Sequence, residues 1–368
     1  MGGGVLVDVV VLAPAVLASR RETTTMGKNE RRRLAASATP WGGIGDDKLE
    51  PAQRMVAESH RSIYAFRHEK FEGDADFFNG YARDACPRCG SQDIAKRGFD
   101  SRGVQRYFCS GCRHGFTPQT GTIFEDRKLP LPAWTDYLLQ VFSYDSFASM
   151  TREDRRSDTT LPYWNAKLFS VLEGIQDDAV LSGRVWVDET YWPVSAKEAV
   201  RRPDGKLPRG LSVNQMCIGV GVDGDGRSIY IHEGFGKTSK AKTRLAFGGR
   251  IERGSELVHD MEGAHDAIVS DLGLKSERHN SKLLKGMPDD QNPLAPVNRM
   301  CFLLKRFLGS HSGFKRSNIQ GYLDVFYVIA NPPGNEMKKA ALVLDRAMRC
   351  PKTLRFREFY NVKPHVSR

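Results

Sequence analysis

Four cysteines, Cys86, Cys89, Cys109 and Cys112, follow the pattern C-x2-C-x19-C-x2-C within CPRCGSQDIAKRGFDSRGVQRYFCSGC. Two residues between paired thiolates let each half wrap one ion, and the intervening hairpin brings the halves together as a tetrahedral site. A stretch this short has too small a core to fold alone, so structural Zn²⁺ takes the place of one. Four thiolates close the coordination sphere and leave no position for a substrate. The other three cysteines, Cys217, Cys301 and Cys350, stand apart in the sequence. An odd total with isolated members argues for a reducing, cytoplasmic compartment and against a disulfide framework.

The formal charge of +11 calls for a polyanionic partner, because clustered Lys and Arg attract phosphates and gain from counterion release. Charge alone fits a membrane surface or an RNA particle equally well. The ribbon narrows the choice: Lys96, Arg97, Arg102, Arg106 and Arg113 stand beside Tyr107, Phe108 and Phe116, a mixture suited to phosphate and base contacts. A membrane role is not expected. The one candidate targeting segment, VLVDVVVLAPAVLA (5–18), is broken by Asp8 and Pro14, is too short to span, and lacks the preceding positive charges of a signal peptide.

Composition and periodicity divide the chain. Residues 1–50 read as a disordered extension, with Met26 a candidate start, and 51–81 as a helical lead-in. The zinc ribbon occupies 82–128. In 129–180, AWTDYLLQVFSY and LPYWNAKLFSVLEGI have helical periods and are joined by TREDRRSDTT; a helix-turn-helix DNA reader and a packed helical linker both fit. Strands dominate from Gly183: GRVWVDETYWPV, then two β-forming runs around DGDG, then ELVHD (256–260). A helix over GAHDAIVSDLG, a loop with Ser276 to Asn280, the helix VNRMCFLLKRF (297–307) and the helix NIQGYLDVFYVIAN complete a mixed α/β domain over 181–335. Residues 336–368 read as a C-terminal tail.

Two carboxylates in this domain sit where carboxylates are costly. Strand alternation puts Asp188 on one face with Trp186 and Thr190, and Glu189 on the other with Val187 and Tyr191. A carboxylate amid such apolar neighbours must be paired, hydrogen-bonded or bound to a cation. Asp260 ends a hydrophobic strand, at the edge where ligands collect in α/β sheets, and His259, Glu262 and His265 crowd the same turn. Two aspartates brought together repel each other, and divalent cations relieve that repulsion. Zinc held by His259 and His265 is the rival reading. In the helix, Val297, Met300, Cys301, Leu304 and Leu308 form an apolar stripe, while Asn298 and Lys305 share a side two turns apart. Alone, these two read as rim groups of a core helix.

In order and spacing, the CxxC…CxxC ribbon, FTPQTGTIFEDRKLPLPAW, VDETYW, VHDMEGAH, VNRMCFLLKRFLGSHSGF and NIQGYLDVFYVIANPP resemble the zinc-ribbon insertion-sequence transposases of bacteria. The resemblance runs from about Cys86 to Pro333. It implies a ribonuclease H-like, mixed-sheet α/β catalytic domain of the DDE type, preceded by the ribbon and the helical region. It further implies a catalytic triad of Asp188, Asp260 and Asn298, which hold Mg²⁺ or Mn²⁺, two ions, with Lys305 the accompanying basic residue and Arg306 beside it on DNA. Asparagine stands where other DDE enzymes have glutamate, so the second cation is held more weakly. The implied partners are the terminal inverted repeats and target DNA; joining two ends implies a homodimer or larger assembly, working on the nucleoid. A transposase-derived DNA-binding protein without chemistry and a stand-alone nuclease of the same fold are the alternatives.

Overall fold

The structure, a computed structural model, describes residues 74–154 and 159–361 together with 51–53, 55 and 157. The expected extension over 1–50 and most of the lead-in over 51–81 lie outside the described residues. Within the lead-in, Asp74–Asn79 form helix α1, and Phe78 is fully buried.

The ribbon is a three-stranded antiparallel sheet of β1 (Ile94–Phe99), β2 (Gln105–Cys109) and β3 (Gly115–Phe116), in that order. Its own small core holds Cys86, Cys109, Tyr107 and Phe116, the two rings stacked with centroids 5.3 Å apart. Two of the aromatic residues expected to offer base contacts are therefore spent on packing. A ribbon with so little apolar material needs its large rings inside. Phe108 alone stays partly exposed, with the Arg97 guanidinium 4.4 Å from its ring. The Asn79 side chain joins α1 to β2, accepting from the Gln105 amide and donating to the Gly103 carbonyl.

Three helices follow: α2 (Leu131–Phe142), α3 (Phe147–Asp154) and α4 (Thr160–Leu172). α3 occupies part of the segment expected to be a polar connector. α2 and α4 meet through Trp134 and Trp164, stacked at 4.4 Å, with Tyr137 edge-on to both.

The central sheet has the order β6-β5-β4-β7-β8. β4 (Arg184–Pro193), β5 (Gln215–Asp223) and β6 (Ser228–Phe235) are antiparallel, while β7 (Glu256–Asp260) and β8 (Lys275–His279) run parallel to β4. The DGDG signal makes the β5–β6 turn: Asp223 accepts from the amides of Asp225 and Arg227, and Gly226 takes φ +80°. β8 was expected as a loop. Its sequence, KSERH, has no apolar alternation because it is an exposed edge strand, and parallel pairing to β7 makes it a strand. The opposite edge, β6, is closed by side-chain amides: Asn331 takes Ser228, Gln176 takes Tyr230, and Gln320 takes His232.

One face of the sheet is covered by α7 (Ala295–Ser310) and α8 (Ile319–Ala330), the other by α5 (Lys240–Phe247) and α6 (Asp266–Leu272). Strand alternation sorts the residues: Val258, Val220 and Val222 face α7, whereas Val185, Val187 and Leu257 face α5 and α6. Residues 336–349, expected as tail, form helix α9 (Glu336–Arg349), and α10 (Phe356–Asn361) follows. Ala340, Val343, Ala347 and Met348 recur at helical spacing and are buried with α2 and α4 in the main core. No helix among the described residues is long and apolar enough to cross a membrane.

Candidate active site and metal centre

The parallel pairing of β4 and β7 matches Val185 to Leu257, Trp186 to Val258 and Val187 to His259. Asp188 and Asp260 are the next step of that register, at the C-terminal end of the pairing. Both therefore fall on the α7 face, side by side on neighbouring strands. Each carboxylate is held the same way: Asp188 Oδ1 accepts from the Glu189 amide and Asp260 Oδ1 from the Glu262 amide, both at 2.8 Å. Burial raises Asp188 to about 7, and Glu189 and Asp260 add to the rise. A cation beside the two aspartates would offset the cost of ionising Asp188 in this buried place, which fits a divalent metal on oxygen ligands.

α7 lies over this edge, packed on β4 and β5. Trp186, on the same face as Asp188, donates its indole N–H to the Pro293 carbonyl at 2.8 Å and so fixes where the helix begins. The expected stripe is the buried one in Val297, Cys301, Leu304 and Leu308; Phe307 joins it, and Met300 is partly exposed. Burial pushes the Cys301 thiol up, Asp188 adds to that push, and Lys305 opposes it. Asn298, one turn before Cys301, and Lys305, one turn after it, are exposed, as is Arg306, whose guanidinium lies 5.9 Å from the exposed Phe302 ring.

The reverse face of the same strand ends carries a buried polar cluster that sequence reasoning leaves without a role. His265 Nε2 lies 2.9 Å from Glu189 Oε1, its Nδ1 3.1 Å from His259 Nδ1, and His259 Nε2 2.9 Å from Ser276 Oγ. Both imidazoles are fully buried, and Asp260 Oδ1 is 3.8 Å from His265 Nδ1. Burial alone would lower His265, but its bond to Glu189, with Asp260 and Asp188 near, outweighs that and raises it. His259 goes the other way, to about 4, through burial and the neighbouring His265 and Arg278. Every ring nitrogen of the pair thus has a hydrogen-bond partner, and ligand atoms of His259, Asp260 and His265 lie within 4.8 Å of one another, as a bound cation would also require. Glu262 instead pairs with Lys237 at 3.0 Å. The readable signal for this cluster was Glu189 facing away from Asp188; the partners 76 residues on were not readable.

In the ribbon, Sγ of Cys86 and Cys112 are 3.7 Å apart, Sγ of Cys89 and Cys109 3.6 Å, and all four ligand atoms lie within 4.8 Å of one another. Tetrahedral zinc with Zn–S of about 2.3 Å requires S···S of about 3.8 Å, so the donor set fits. Burial would raise the Cys86 thiol, but amides of Arg88 and Cys89 and its thiol neighbours bring it to about 7. Cys112, partly desolvated and hydrogen-bonded to the other three thiols, rises to about 12, so a full set of thiolates needs a cation. Lys96, Arg97, Arg102, Arg106 and Arg113 are all exposed; Arg102 pairs with Asp100 at 3.6 Å.

Over 274 residues, 70% of this chain and 90% of the other, the sequence is 25% identical to an uncharacterized protein in the transposable element ISH50 of Halobacterium salinarum. The chain is similar to a protein of a mobile element. No family model matches it. Among solved structures, the Mos1 strand transfer complex aligns with 60% of this chain and 76% of its own at a TM-score of 0.27 and 13% identity. A simian T-cell lymphotropic virus intasome bound to PP2A regulatory subunit B56 gamma aligns with 52% of this chain at 0.25 and 11%, and the alignment spans just under two thirds of that neighbour, 65%. At such scores neither likeness bears on fold or function.

Proposed function

We propose that this chain is a DDE-type DNA transposase with a ribonuclease H-like catalytic domain, in which Asp188, Asp260 and Asn298 bind the catalytic metals. The observation that carries the reading is the shared register of Asp188 and Asp260, two costly carboxylates on one face of adjacent parallel strands, under a helix that bears Asn298 and Lys305. The likeness to the ISH50 protein over most of both chains supports it.

In the site so read, the backbone bonds at Oδ1 fix both aspartate rotamers before any ligand arrives. Asn298 offers an amide oxygen in place of a third carboxylate. Lys305, with Arg306 beside it, meets a DNA phosphate. Two Mg²⁺ or Mn²⁺ ions would supply the charge that in-line phosphoryl displacement requires. The reaction is hydrolysis of a phosphodiester at the element's end, then attack of the freed 3′ hydroxyl on target DNA. Cys86, Cys89, Cys109 and Cys112 hold a structural zinc, and the ribbon's basic face contacts the terminal repeats. Joining two ends calls for at least two copies of the chain.

The test is a cleavage and joining assay with labelled ends of the element that encodes the chain and a plasmid target. Asp188→Ala or Asp260→Ala should lower both steps more than about a hundredfold, equivalent to roughly 3 kcal/mol of transition-state stabilisation. Asn298→Glu should cleave better at low Mg²⁺. Unchanged strand transfer in either alanine variant sinks the proposal, and cleavage without joining identifies a nuclease.

A further inference from the structure

We propose that Glu189 and His265 are positioning residues: the hydrogen-bonded chain they anchor on the reverse face of the sheet holds the ends of β4 and β7 at the separation the two aspartates need. The inference rests on the reading of Asp188 and Asp260 as metal ligands.

Glu189 follows Asp188 and His259 precedes Asp260, so each aspartate has a chain neighbour in the cluster behind it. The paired ladder between the strands ends at Val187 and His259. Beyond that point no backbone pairing among the described residues joins β4 to β7, and the side-chain route from Glu189 through His265 to His259 takes its place. One outer end is also tied, His259 to Ser276 of β8; at the other, Thr238 spends its hydroxyl proton on Glu233 of β6 at 2.7 Å and lies 3.4 Å from Glu189. Three strands, β4, β7 and β8, are thus linked at one height.

The fold makes room for this arrangement. Gly219 of β5 pairs with Glu189, and a Cβ there would stand 2.7 Å from Glu233 Oε1 and 2.8 Å from Phe247 Cζ. The Glu189 side chain is 4% exposed, and Glu233, His259 and His265 are buried. An apolar cluster would satisfy packing at lower desolvation cost. What directed bonds add is a fixed distance and angle, because side chains around a metal ligand set its orientation and are felt in metal affinity.

The experiment uses the full chain and compares Glu189→Gln and His265→Gln with wild type in three readouts: Mn²⁺ binding by calorimetry, the Mg²⁺ concentration for half-maximal cleavage, and Tm. Both variants should weaken Mn²⁺ binding and cleavage at limiting Mg²⁺ about 10–100-fold. DNA binding should hold, and Glu189→Asp should recover part of the loss. The double variant should be no worse than either single one, since the two act as a unit. Ser276→Ala, which removes only the outer partner of His259, reads the same effect more mildly if Glu189→Gln does not fold. Unchanged Mn²⁺ affinity and Mg²⁺ dependence in folded variants overturn the proposal, as does a lowered Tm alone. Loss of one whole Mn²⁺ from the stoichiometry in His265→Gln but not in Glu189→Gln also overturns it, for the imidazole is then a ligand. A wild-type chain that binds Mn²⁺ but cleaves nothing defeats the transposase reading, while calorimetry still decides the brace. A chain that binds no Mn²⁺ defeats both.

Discussion

Lys167 on α4 is buried, its ammonium bonded to the Ile123 carbonyl and 4.7 Å from the Tyr163 ring. Burial lowers it from 10.5 to about 8, against the opposing pull of Asp126 and Glu125. Between those two values the unfolded chain binds more protons than the folded one, so this residue makes stability rise with pH through that window and fall as pH drops towards 8. Urea midpoints at pH 8 and pH 10 should therefore converge in Lys167→Met, and the wild-type excess at the higher pH should be roughly 1–3 kcal/mol. At the same scale, Asp188 and Asp260 were legible because a carboxylate in an apolar strand has few cheap explanations. Glu189 and His265 were not, because the partner that makes sense of each lies on another element.

α8 is apolar on nearly every side, and a glycine inside such a helix ordinarily weakens it by about 1 kcal/mol relative to alanine. Gly321 has a steric reason to be there: a Cβ would stand 2.4 Å from the Phe169 ring of α4. Overpacking of this kind costs about 1–3 kcal/mol, which outweighs the helical gain. Gly321→Ala should lower Tm, and Phe169→Leu in the same chain should restore part of the loss; a Gly321→Ala protein more stable than wild type would show that the ring moves aside. Helices such as α7 and α8 were legible from their periods and from prolines at their ends. β8 and α9 were not: β8 owes its shape to pairing with β7, and α9 mixes charged and apolar residues, with four small or apolar contacts that matter only once α2 and α4 are in place.

Across the whole molecule, the cysteine end of the ribbon keeps a core apart from the one that holds α2, α4, α7, α8 and α9, which Val104 of its hairpin, Ile123 and Phe124 join. Removing zinc should therefore melt the ribbon and spare the rest. A thiol-directed mercurial should release one zinc per chain with little change in the near-ultraviolet signal of Trp134 and Trp164, and a single cooperative collapse of both signals would refute that independence. The main core has another property. It opens with Phe78 and closes with Met348, and the helix nearest its end lies against the first two long ones. Domains form as the ribosome delivers them, but this one cannot close until nearly the last of these apolar side chains has been made. The aspartate edge is thus assembled late in synthesis, and a nascent chain carries its four ribbon cysteines well before that edge is complete.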